Sequence, residues 1–208
     1  MGVLNFTAKR DKEGEAVLKD VLAIDPKNAL AHQALAKRYR WDQNKDLAAY
    51  HAGELLKIRG GSPEEFLKLA EEHLAADRPR EARLLLEKAV FDHPENTDLR
   101  VKLAVASLRD TETRGRAPRL FREAEAAFPE GKITDPEFLT ASAEAMIEAG
   151  QSKAAEERLR AAIRAWPADA KKETAAALRR LAGLWQKENR NAEAAKSLLL
   201  RADGLDPK

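Results

Sequence analysis

Prolines recur along this chain at a nearly constant interval, and each closes an apolar helical run. The runs end at AIDPKN (23–28), KAVFDHPEN (88–96), AAFPEG (126–131), RAWPAD (164–169) and GLDPK (204–208). Proline cannot donate the backbone hydrogen bond that continues a helix, and its ring clashes with the preceding turn, so each is a helix stop. Pro26 to Pro94 is 68 residues, two steps of 34, and the later intervals are 35, 38 and 40. At the missing midpoint stands Arg59-Gly60-Gly61, where glycine ends the helix instead. A single compact core has no reason to keep such a period, whereas stacked repeats do.

Between the stops the chain is rich in Ala, Leu, Glu, Lys and Arg, and aromatics make up only 5%. These are strong helix formers, and an all-α protein is expected. Lys and Arg number 37 against 35 Asp and Glu, a net charge of +2. That balance lacks the cationic surplus of a dedicated nucleic-acid binder, so no nucleic-acid partner is expected. No apolar run approaches the roughly 18 residues of a membrane span. The start MGVLNFTAKR has no basic stretch ahead of an apolar core, and Phe6 stands where a myristoylation signal needs Ser or Thr. With no cysteine, disulfides and thiolate metal sites are excluded, and a cytoplasmic location is expected.

The residue types within each period resemble the tetratricopeptide repeat (TPR), a helix–turn–helix unit of 34 residues. In 29–62, Leu35, Ala36, Tyr39 and Ala48 occupy family positions. In 63–96 these are Phe66, Leu69, Ala70, Ala82, Leu86, Ala89 and Pro94, with His73 in place of the usual Tyr. In 97–131 they are Leu103, Ala104, Ala117, Phe121, Ala124 and Pro129, with one extra residue in the inner turn. In 132–169 they are Leu139, Ala143, Gly150, Ala155, Leu159, Ala162 and Pro167, with Ser142 in the Leu place. In 170–208 they are Leu178, Leu181, Ala182, Trp185, Ala195, Leu199, Ala202 and Pro207, while 1–28 holds a lone second helix. The resemblance implies one right-handed superhelical solenoid of antiparallel helix pairs, about five units after one extra helix. Local starts agree: Ser62-Pro63 with Glu65 forms a capping box, and Asp135-Pro136 repeats the logic.

The sequence contains no HExxH, GxSxG, P-loop or GxGxxG pattern, so neither an enzyme, a cofactor nor a metal is expected. The four histidines, His32, His51, His73 and His93, are scattered over different helical positions and read as structural. The resemblance implies that exposed positions on the first helix of each unit line a concave surface. These are Gln33, Lys37, Arg40 and Trp41, then Lys68, then Val101, Lys102, Val105 and Arg109. Further along, Glu144 and Glu148 turn the groove acidic, and Arg179 and Arg180 make it basic again. The expected partner is another protein, through an acidic or amphipathic segment. Family members that clamp a terminal carboxylate use Lys and Asn where this chain has Gln33 and Lys37, so that clamp is not expected.

Two other surfaces are candidates. RDTETRGRAPRLFR (109–122) carries Arg114, Arg116, Arg119 and Arg122 on an edge, which suits an anionic membrane surface or an acidic protein. Leu198 and Leu200 on the last helix have no following repeat to cover them, which suggests weak self-association. Asp92-His93-Pro94 resembles an inter-repeat turn of kinesin light chains and implies, as the alternative, a cytoskeletal-filament partner.

Overall fold

The computed structural model describes residues 8–128 and 134–207. The Pro129 stop, the GVLNF stretch and Lys208 lie outside the described residues. Eleven α-helices and no strand occur among the described residues. They are α1 (Ala8–Ile24), α2 (Ala29–Trp41), α3 (Lys45–Arg59), α4 (Pro63–Ala75), α5 (Pro79–Asp92) and α6 (Thr97–Arg109), followed by α7 (Ala117–Ala126), α8 (Pro136–Glu148), α9 (Ser152–Ala165), α10 (Lys171–Lys187) and α11 (Ala192–Leu205). Five antiparallel pairs follow a lone α1, one pair within each sequence repeat.

The chain divides into two compact units, Met1–Leu99 and Arg100–Lys208. Within the first, α3 packs on α4 and α5 as well as on its own partner α2, and α1 packs on α2. Within the second, α7 packs on α8 and α9 on α10. A face that one pair cannot bury alone is covered by the next, which is the stacking logic of a solenoid.

Four of the five turns inside the described pairs are built alike. Gln43, Asp77, Gly150 and Asn189 adopt left-handed conformations with φ of 57°, 54°, 71° and 51°. The following residue then donates its N–H back to the carbonyl at one recurring core position. Asn44 reaches Tyr39, Arg78 reaches His73, Gln151 reaches Met146 and Arg190 reaches Trp185, at 2.8–2.9 Å. This closure satisfies carbonyls that the helix end leaves open. The third pair departs from it. Its longer turn is organised by Asp110, whose side chain accepts from the Glu112 N–H at 3.0 Å. The Asp110 carbonyl accepts from the Thr113 and Arg114 N–H groups, and a 3-10 turn, Arg114–Arg116, leads into α7.

Helix starts follow the residues read above. Ser62 Oγ accepts from the Glu65 N–H at 3.3 Å, and Glu65 accepts from the Ser62 N–H at 3.0 Å. Asp135 accepts from the Glu137 and Phe138 N–H groups. The small-residue positions of the first helices are buried: Ala36, Ala70, Ala104, Ala143 and Ala182. Small side chains there let helices approach closely, while larger ones fill the spaces between pairs. In the second unit Phe121 meets Phe138 edge-on, with ring centroids 5.1 Å apart, in a cluster with Ala104, Leu108, Ala117 and Ala124.

Candidate interaction groove

Helices α2, α3 and α4 of the first unit enclose an open cavity of about 640 Å³. From α2 come Gln33, Ala36, Lys37 and Arg40, spaced so that one helical face is presented. From α3 come Ala52, Leu55, Leu56 and Arg59, and from α4 Glu65, Lys68, Leu69 and Glu72. Ala36, Leu56 and Leu69 are nearly fully buried, so the floor is continuous with the hydrophobic core. Gln33, Lys37, Arg40 and Lys68 are exposed and form the polar rim.

Rim electrostatics are one-sided. Arg59 pairs with Glu65 at 2.8 Å, so these two cancel. Glu65 is doubly committed, because it also closes the capping box. Lys37, Arg40 and Lys68 make no ion pair among the described residues, against a single remaining carboxylate, Glu72.

Four of the nine expected groove residues, Gln33, Lys37, Arg40 and Lys68, thus line one cavity. Trp41 is 84% exposed and is not among its lining residues. Val101, Lys102, Val105 and Arg109 belong to α6 in the second unit. Contrary to the expectation of open groove positions, Val101 and Val105 are partly buried against the Ala104–Phe121 cluster. Lys102 is half-buried and Arg109 is exposed. The α3 contribution comes from a second helix, to which the exposed positions of first helices do not point. Its signal is the spacing of Ala52, Leu55, Leu56 and Arg59, one apolar helical face ending in a cation.

Several charges of the second unit satisfy one another. Glu144 pairs with Arg180 at 3.2 Å, and Glu148 with Arg114 at 3.1 Å. Arg179 bridges Asp203 at 3.0 Å and Asp206 at 3.1 Å, tying α10 to the end of α11. Of the acidic and basic residues expected along the groove, Glu144 and Arg180 are therefore partners of each other. The edge patch is reduced in the same way. Arg114 donates Nε–H to the Leu108 carbonyl at 3.0 Å as well as pairing with Glu148. Arg119 pairs with Glu123 at 3.1 Å, and Arg116 and Arg122 are exposed.

Leu198 corrects the expectation of an uncovered last helix. It is half-buried and packs with Leu178, Leu181, Trp185 and Ala202, because its side chain turns toward α10. Leu200 is 67% exposed.

Two histidines read as scattered are in contact. His32 Nδ1 and His51 Nδ1 lie 2.9 Å apart, and His32 Nε2 donates to the Pro26 carbonyl at 3.0 Å. Tyr39 stacks on His51 with ring centroids 5.6 Å apart and donates its hydroxyl to Glu15 at 2.6 Å. The group fastens α1 and the α1–α2 turn behind the groove. Burial first, then repulsion from His32 and Lys19, lowers the His51 pKa to about 4. His73 is buried at the position the family gives to Tyr, and burial lowers its pKa too. His93 donates Nε2–H to the Gly61 carbonyl at 2.7 Å and sets its ring edge-on to Phe66, while Asp92 pairs with Lys88. The Asp92-His93-Pro94 turn is thus occupied in holding two turns of the first unit together. Among the described residues no group of three His, Cys, Asp or Glu side chains is placed to hold a metal ion.

No family model matches the chain, and no curated protein sequence matches it. Solved structures do. The crystal structure of MamA superposes with a TM-score of 0.64 at 16% identity, over 83% of this chain and 94% of that one. YrrB, described as a TPR protein with an unusual peptide-binding site, gives 0.61 at 17% identity, over 92% and 93%. PilF of Pseudomonas aeruginosa gives 0.60 at 19% identity, over 96% and 86%. At these identities the likeness concerns the fold, and together with the repeated helix pairs it shows that this chain has the TPR fold.

Proposed function

We propose that this chain is a non-enzymatic interaction module that holds a segment of another protein in the groove between α2, α3 and α4. The observation that carries the reading is a cavity of about 640 Å³ with an apolar floor and an exposed polar rim. Such a combination suits a bound chain segment, because apolar side chains gain from leaving water while rim groups fix orientation. The peptide-binding site named for the similarly folded YrrB supports it.

A displayed library of random peptides, panned against the full chain, tests the reading. Peptides that bind the wild type are expected to lose about tenfold or more in affinity for Leu55→Glu, since a hydrated carboxylate would replace apolar surface that a bound segment covers. Leu55→Gln serves as a second variant if the first alters the helical circular dichroism. Selected peptides that bind both folded variants as well as the wild type would overturn the groove assignment.

A further inference from the structure

We infer that the first-unit groove selects a short acidic stretch within a partner chain, recognised along its length and not by a terminal carboxylate. The inference rests on the groove reading above and adds the chemistry of the occupant.

Charge is the first argument. With Arg59 and Glu65 cancelling each other at 2.8 Å, the lining keeps Lys37, Arg40 and Lys68 against Glu72, an excess of two positive charges. In the second unit, by comparison, Glu144 pairs with Arg180 and Glu148 with Arg114. Cations in excess of acids around a low-dielectric floor concentrate positive potential in the cleft and favour carboxylates entering it.

Spacing is the second. Lys37 and Arg40 stand on α2 and Lys68 stands on the facing α4, so the cations are spread over two walls. From Gln33 to Arg40 the helix rises about 10 Å, the length of three or four residues of extended chain. One terminal carboxylate brings a single negative charge and would offset only half of the excess of two. Acidic side chains at successive positions of a segment can meet them separately, with an aliphatic residue between them over Leu55 and Leu69.

The same library decides this. Peptides lost on Leu55→Glu are expected to be acidic, to bind equally well when synthesised with amidated C-termini, and to weaken as salt rises. Lys37→Glu with Lys68→Glu, both exposed positions, should weaken them about tenfold or more while leaving the circular dichroism unchanged. Groove-dependent peptides that are neutral or basic would overturn the acidic inference and leave the groove reading intact. Loss of binding on amidation would overturn it in favour of terminal-carboxylate recognition. Peptides indifferent to Leu55→Glu and Leu55→Gln would remove both readings together.

Discussion

Lowering the pH from about 7.5 to about 4 brings a proton to His51, in the buried histidine pair of the first unit, and its surroundings set the outcome. His32 Nε2–H is committed to the Pro26 carbonyl at 3.0 Å, so the neutral His32 ring offers Nδ1 as an acceptor to His51 Nδ1–H at 2.9 Å. A second proton on His51 would charge a ring that is under a tenth exposed. Around His51 stand Glu15 and Lys19 of α1, the Tyr39 ring of α2, and Glu54 on its own helix. Burial, His32 and Lys19 disfavour the imidazolium more than Glu54 and Glu15 favour it, which puts His51 at about 4 against an ordinary 6.5. The unfolded chain therefore takes up this proton more readily than the folded one. The contribution of a neutral His51 is complete above about 6.5 and is lost as pH falls toward 4. The full difference amounts to about 3 kcal/mol, a sizeable share of the roughly 5–15 kcal/mol typical of a folded domain. Carboxylates also titrate in this range, so the comparison is with His51→Asn, whose amide can still donate to His32 Nδ1 but carries no titrating proton. Urea unfolding should show the wild type losing about 3 kcal/mol more than the variant across this range. Histidine ring resonances should place His51 near 4. A His51 that titrates at or above 6.5, or parallel stability curves for the two proteins, would refute the reasoning.

Two further outcomes test the turns. Gly150→Ala should cost about 1 kcal/mol, because a side chain is strained at φ of 71°, whereas Asp77→Gly at the equivalent turn should stabilise by a few tenths to about 1 kcal/mol; thermal unfolding reads both. His93→Ala removes the donor to the Gly61 carbonyl and should cost about 1–2 kcal/mol, with amide exchange accelerated first at the α3–α4 and α5–α6 turns.

Much of the fold was legible because its signals are local. A proline that cannot continue a helix, a Ser or Asp that caps one, and an alanine recurring every 34 to 40 residues each act within a few residues of themselves. Their summed pattern marked every helix pair. The left-handed turns were legible only in part: Gly150 announces itself, and Asp77 and Asn189 are side chains that tolerate the conformation, but Gln43 adopts it without that preference. There the hydrogen bond back to the preceding core residue overrides the local preference.

The candidate site was legible to a smaller degree. First-helix exposure picked out Gln33, Lys37, Arg40 and Lys68, but three consequences of three-dimensional contact were out of reach. Whether a charge is free depends on what stands within about 4 Å, and Glu144, Glu148, Arg114 and Arg180 turned out to be each other's partners. Whether an apolar side chain is uncovered depends on which way its helix is rolled. That roll partly buries Val101, Val105 and Leu198 and leaves Leu200 exposed. Part of the floor of the groove comes from α3, a second helix that the spacing of the first helices does not point to.

By itself the amino-acid order determined the helices, their stops, the period and hence the TPR architecture, since these follow from backbone chemistry and one-dimensional spacing. Tertiary structure alone decided which charges stayed unpaired, that His32 and His51 share one buried hydrogen bond 19 positions apart, and that the cavity opens between α2, α3 and α4. Those outcomes depend on distances between side chains far apart in the chain, and such distances exist only once the helix pairs have stacked.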